Sequence, residues 1–143
     1  MGNILHKKWM SMIKTTRNFT VAWVVGIPLA IINATIRNYL VLPYTGELLA
    51  HQISSITMII IFAAYFWALN RKWSIASQQQ ALTIGGIWLG LTIVFEFLFG
   101  HYIMGNTWTR LLADYNILAG RLWSLVLLWT FIGPYVIYRS AEQ

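Results

Sequence analysis

Arg37, His51, Gln52, Glu96, His101 and Arg121 are polar or titratable side chains set in or beside long apolar runs. Glu96 is the most demanding of them. It sits inside ALTIGGIWLGLTIVFEFLFGHYI, Ala81 to Ile103, a run of 23 residues, and about 20 apolar residues suffice to cross a bilayer. A carboxylate that deep in hydrocarbon costs on the order of 3 kcal/mol or more, so it is either neutral or paired. Glu96 could exchange a proton or hold a guanidinium. The arginines and histidines supply positive potential for a phosphate or carboxylate. His101 or Glu96 could act as acid–base, with Asp114 as a helper. Asn33, Asp114 and Asn116 complete the candidate set.

Each member also has a plainer reading. Arg37 and Arg121 could snorkel to phosphates at the membrane surface. A lone His51 or His101 reads as a capping or interfacial residue. A purely structural ion-pair network also accounts for Glu96. Direct or water-mediated contact of Glu96 with Arg37 or Arg121 is the expectation. Glu96 and His101 are five residues apart, about 140° around a regular helix, so they share a partner only if Gly100 ends that regularity. His51 and His101 share a depth, so a bis-His haem or a metal is conceivable for them. The pair lies near the rim and stands alone, so no haem, other cofactor or metal is expected. No Gly-rich phosphate loop, His-Glu-x-x-His or nucleophilic serine motif is present.

The elements that must position these residues follow from hydropathy. Four spans are expected, at about 19–42, 48–69, 81–103 and 118–138, in one membrane domain covering 1–143. Residues 1–18 form a basic N-terminal segment with Lys7, Lys8, Lys14 and Arg17. It reads as a solvated tail rather than as a short interfacial helix, and its following apolar run is too long for a signal peptide. In the first span Gly26, Ala30, Asn33 and Arg37 fall on one stripe that should face the bundle. In the second, His51, Ser54, Ser55 and Met58 share a face. The third carries Gly86-x-x-x-Gly90, read as close helix packing within the monomer. The loop 104–117 should hold a short interfacial helix capped near Asn106 or Thr107.

The composition fits this scheme. The chain has 143 residues, 58% hydrophobic and 10% charged, with a mean hydropathy of +0.61, against about 25% charged residues in soluble domains. There are no cysteines, which excludes disulfides and thiolate metal sites. The net charge of +6 does not indicate nucleic acid, because the basic residues sit at span ends. With the N-terminus inside, Lys7, Lys8, Lys14, Arg17, Arg71, Lys72 and Arg139 lie inside and only Arg37, Arg110 and Arg121 toward the outside. The positive-inside rule therefore gives an all-α, four-helix integral membrane bundle with both termini in the cytoplasm. Its antiparallel spans bring the whole candidate set to the outer side. At 1.5 Å per residue, Arg37 is roughly 7 Å and Glu96 roughly 10 Å from their span ends.

The segment FEFLFGHYIMGNTWTRLLADYNILAGRLW, Phe95 to Trp123, resembles small four-helix bacterial inner-membrane proteins of uncharacterised role. The likeness extends to IRNYLVLPYTGELLAHQIS, Ile36 to Ser54. It implies the fold class and a multi-pass setting in a bacterial inner membrane, and it carries no activity. Three functions fit the sequence. The first is an outward-facing pocket for a polar or anionic ligand, a lipid headgroup or a proton, in transport or sensing. The second is an accessory or assembly subunit that meets a membrane-protein partner. The third is a membrane enzyme acting on an outer-leaflet lipid.

Overall fold

The structure is a computed structural model that describes residues 1–143. Helix α1 spans Gly2–Ile36. Nothing between Asn3 and Val25 breaks a helix, so the basic segment is not a separate tail but the start of the first apolar helix. Pro28 lies inside it, without a cis bond or positive φ nearby. A π-helical turn, Arg37–Val41, follows, and its cause is Pro43. The proline ring would strike the carbonyl four residues back in a tight α-helix, and the wider turn relieves this, with Leu42 N–H reaching the Arg37 carbonyl. The one-turn helix α2, Leu42–Thr45, ends at Gly46, whose φ of 80° suits glycine.

Helix α3 spans Glu47–Lys72 and α4 Gln78–Leu98, capped by the Ser77 hydroxyl on Gln80 N–H. A second π-helical turn, Phe99–Ile103, widens the end of α4. Helix α5, Trp108–Ala113, begins at Thr107, whose hydroxyl accepts from Arg110 N–H. Helix α6 spans Trp123–Ala141, starting five residues later than the apolar spacing suggests. Asn116 caps a single 3₁₀ turn, Ile117–Ala119, and Gly120 then takes φ 79°, which turns the chain before α6 can begin.

The chain is all-helical, with no strand. Three helical stretches are long and apolar enough to cross a membrane: Gly2–Thr45, Glu47–Lys72 and Gln78–Ile103. Cross-contacts fix the arrangement. Trp23 and Trp88 of neighbouring helices bond Thr92 and Phe19 respectively, so α1 and α4 run parallel. Asn33 meets Ser54 and Ala22 meets Tyr65, so α3 runs antiparallel to α1. Helix α6 packs on α3 and α4. The ends of α1 and α4 and the starts of α3 and α6 therefore share one end of the bundle.

The core fills the interior of the bundle between its ends. Phe19, Met58, Phe66, Ile84, Trp88 and Val126 are essentially inaccessible. Phe66 stands edge-on to Trp88 at 4.7 Å, and the Trp88 indole donates to the Phe19 carbonyl at 2.9 Å, so this ring is buried with its polar atom satisfied. Close helix approach does use a glycine of α4, but not the expected pair. A Cβ at Gly85 would collide with the Phe131 backbone carbonyl, whereas Gly90 has no neighbour within 4 Å and Gly86 touches only the edge of the Phe131 ring. The seam with α6 runs through Gly85 because 100° per residue turns Gly86 and Gly90 outward.

A polar layer at one end of the bundle

The first π-helical turn presents Arg37, half-buried, whose Nε donates to Asn38 Oδ1 at 3.0 Å. Just across the Gly46 turn, α3 opens with Glu47. Arg121, held in the turn before α6, joins two acids: Nη2 to Glu47 Oε1 at 3.3 Å and Nη1 to Asp114 Oδ1 at 3.6 Å. Arg110 of α5 reaches the same Glu47 oxygen at 3.7 Å. His51, one turn into α3, lies within electrostatic reach of Arg37, Asp114, Arg121 and Glu47. Two arginines, Arg110 and Arg121, thus share two carboxylates. Arg37 has no carboxylate within ion-pair distance, and the buried Arg121 Nη1 has Asp114 as its only, long-range partner.

Glu96 stands apart from this group. Its Oε2 accepts from the Tyr115 hydroxyl at 2.7 Å, and the Trp123 indole approaches the same carboxyl. The expected direct contact with Arg37 or Arg121 is not formed. Both guanidinium-bearing turns lie nearer the bundle end, and the loop after α5 folds back to set Tyr115 on Glu96 first. Ser124 Oγ fixes that fold by donating to the Tyr115 carbonyl at 2.9 Å. The Tyr115 hydroxyl is held well above the ordinary phenol range, because burial and then the adjacent Glu96 disfavour the phenolate. It therefore serves as a donor at any ordinary pH.

His101 and Glu96 do not share a partner, although the helix does lose its regularity at Gly100. Asn106 N–H reaches back to the Gly100 carbonyl at 2.9 Å, and a Cβ on Gly100 would press on Leu111 of α5. His101 Nδ1 lies 2.8 Å from the Asn106 carbonyl, and its ring stacks on Trp108 at 3.8 Å. Phe97 bridges the two sites, stacking on both Trp108 and Tyr115. His51 and His101 thus have separate surroundings, and no group of three or more His, Asp or Glu side chains gathers as metal ligands would.

Three other candidates are engaged in the fold itself. Asn33 Nδ2 bonds Ser54 Oγ at 2.8 Å and its carbonyl at 3.0 Å. Gln52 Nε2 bonds the Gly120 carbonyl at 2.9 Å. Asn116 is the cap of the 3₁₀ turn. Glu47, Arg110 and Tyr115 join the layer without having been singled out by the sequence. Glu47 carried a signal, an acid in the first turn of a helix. Tyr115 carried none, since its role depends on how the loop folds back. Two cavities, of about 640 and 600 Å³, lie at the opposite end, around the start of α4. No family model, curated protein or solved structure matches this chain.

Proposed function

We propose that this chain is a multi-pass protein of a bacterial inner membrane, with α6 as a fourth span and both termini on the cytoplasmic side. The seven-to-three distribution of basic residues supports that orientation. We propose further that the layer at the outer end binds a polar or anionic ligand, such as a lipid headgroup, in transport or sensing. One observation carries this reading: Glu47 and Asp114 are taken up by Arg110 and Arg121, leaving Arg37 with no carboxylate partner. A purely structural network closes its own charges. This one leaves the Arg37 guanidinium with donor capacity that an anion would fill. Glu96 and Tyr115, one layer deeper, form a carboxyl–phenol pair able to hold a proton behind the anion.

The test is stabilisation by ligand in mild detergent. Inorganic phosphate and short-chain phosphatidylglycerol should each be titrated against thermal unfolding. At a hundred times Kd a bound ligand stabilises by about 2.7 kcal/mol. Arg37→Gln should abolish the response to inorganic phosphate while changing the unliganded protein little, because Arg37 is bonded only to its neighbour Asn38. An equal phosphate response in wild type and Arg37→Gln would refute the site.

A second reading has its own observation. Residues 2–11 of α1 project with every side chain exposed, among them Ile4, Leu5, Trp9 and Met10. This favours a membrane-protein partner at the cytoplasmic end, as in an accessory subunit.

A further inference from the structure

At the basic end, a groove of about 640 Å³ runs between α1 and the first turns of α4. Trp9, Ile13, Arg17 and Val21, spaced at i, i+4, i+8 and i+12, form its α1 wall, and Thr83 lies on the α4 side. Its floor is fixed by Gln80. That buried amide donates to the Met12 carbonyl at 2.8 Å and to Thr16 Oγ1 at 3.2 Å, and it accepts from Ala76 N–H at 2.8 Å. The groove is therefore a built feature of the helix crossing. From Trp9 to Val21 it rises about 18 Å, of which about 6 Å lie beyond Arg17.

Charge selects the occupant. Arg17 stands exposed at mid-groove with neither a carboxylate nor a hydrogen-bond partner. Its neighbours are engaged: Arg71 lies over Trp67 at 5.4 Å and Lys72 over Trp73 at 4.9 Å. Lys7, Lys8, Lys14 and Arg139 share this end, and Glu142, the one acid near it, is taken by the Tyr138 hydroxyl. Arg17 aside, the walls ask little of a polar ligand. The hydroxyls of Thr20 and Thr83 are already donated to the carbonyls of Thr16 and Gln79.

We propose that this groove holds one anionic phospholipid of the leaflet at the basic end. Arg17 binds the phosphate with Thr83 on the facing wall beside the headgroup, and an acyl chain descends along Thr20 and Val21. The site rests on the membrane reading but not on the polar layer, so either can fail alone.

The experiment uses the full chain, delipidated in mild detergent and followed by native mass spectrometry. Dioleoylphosphatidylglycerol should give a single saturable adduct and outcompete dioleoylphosphatidylcholine at equal concentration. Arg17→Gln should weaken it about fivefold, as expected for one basic residue at a membrane surface. Thr83→Trp fills the groove without changing charge and should weaken it comparably. Arg71→Gln, outside the groove, should leave it unchanged. Arg17 and Thr83 are both exposed, so each variant should unfold at the wild-type temperature, which the same samples check. Equal retention of the two lipids, unchanged binding in both groove variants, or full competition by glycerol phosphate alone would overturn the proposal. So would retention of an acidic peptide with no lipid preference.

Discussion

Replacing Tyr115 by Phe removes one oxygen atom and leaves the Glu96 carboxyl without its phenol donor. The ring keeps its stack on Phe97, whose centroid is 5.8 Å away, so the loss isolates the 2.7 Å hydrogen bond. A neutral hydrogen bond contributes about 0.5–1.5 kcal/mol net and one to a charged group about 1.5–3 kcal/mol. For a chain of this size 1 kcal/mol corresponds to about 3–4 °C in melting temperature. Tyr115→Phe should therefore lower it by about 2–12 °C, the upper end applying if Glu96 is ionised. A double-mutant cycle with Glu96→Gln should give a coupling of about 1 kcal/mol or more, whereas a cycle of Glu96→Gln with Arg121→Gln should fall within about 0.5 kcal/mol of zero. The pH dependence has a definite sign. The folded phenol titrates above the unfolded one, so its contribution is fully present below about pH 10 and is lost as pH rises beyond that. The phenylalanine variant should show less of this alkaline loss. Coupling to Arg121 rather than to Tyr115 would refute the geometry described here.

Two further outcomes follow from the packing and the topology. Gly85→Ala should cost about 3 kcal/mol, at the upper end of overpacking, because its Cβ meets the Phe131 carbonyl. Gly90→Ala should be neutral or stabilising by up to about 1 kcal/mol, and urea or thermal unfolding compares the two. Single cysteines at Asn3, Gln78 and Thr107, all exposed, should label with an impermeant thiol reagent in intact cells only at Thr107. Labelling at Gln78 would invert the proposed orientation.

Much of the architecture was legible because hydropathy and helical periodicity are local properties. Gly26 and Asn33 of the first stripe and the face through Ser54, Ser55 and Met58 turn inward as spacing requires, whereas Arg37 is only half-buried. The short helix after Thr107 was legible from its cap. Departures arose where a neighbour from elsewhere in the chain decides. Gly85 rather than Gly86 and Gly90 meets α6, a one-residue rotation that no glycine count reveals. Gly100, in the second π-helical turn, leaves room for Leu111 of α5, where a Cβ would collide. Among the polar residues, the grouping of Arg37, His51, Asp114 and Arg121 at one end was readable from alternating helix direction. The pairing within it was not, because Tyr115 and Glu47 compete for Glu96 and Arg121 through loops whose path depends on tertiary contacts.

The proposed anion-binding role of the polar layer is tested most directly by side-chain ¹⁵N NMR of the arginine Nε groups in the full-length protein. Assignment rests on Arg37→Gln, Arg110→Gln and Arg121→Gln. Titration with inorganic phosphate, and separately with short-chain phosphatidylglycerol, should shift Arg37 and Arg121 along one saturable curve with a common Kd, leaving Arg139 unmoved. Stronger response to the lipid would identify a headgroup as the source of the anion. Shifts that grow linearly and alike at every arginine, or none at Arg37 and Arg121, would mean that the layer closes on itself and serves only to hold the helices together.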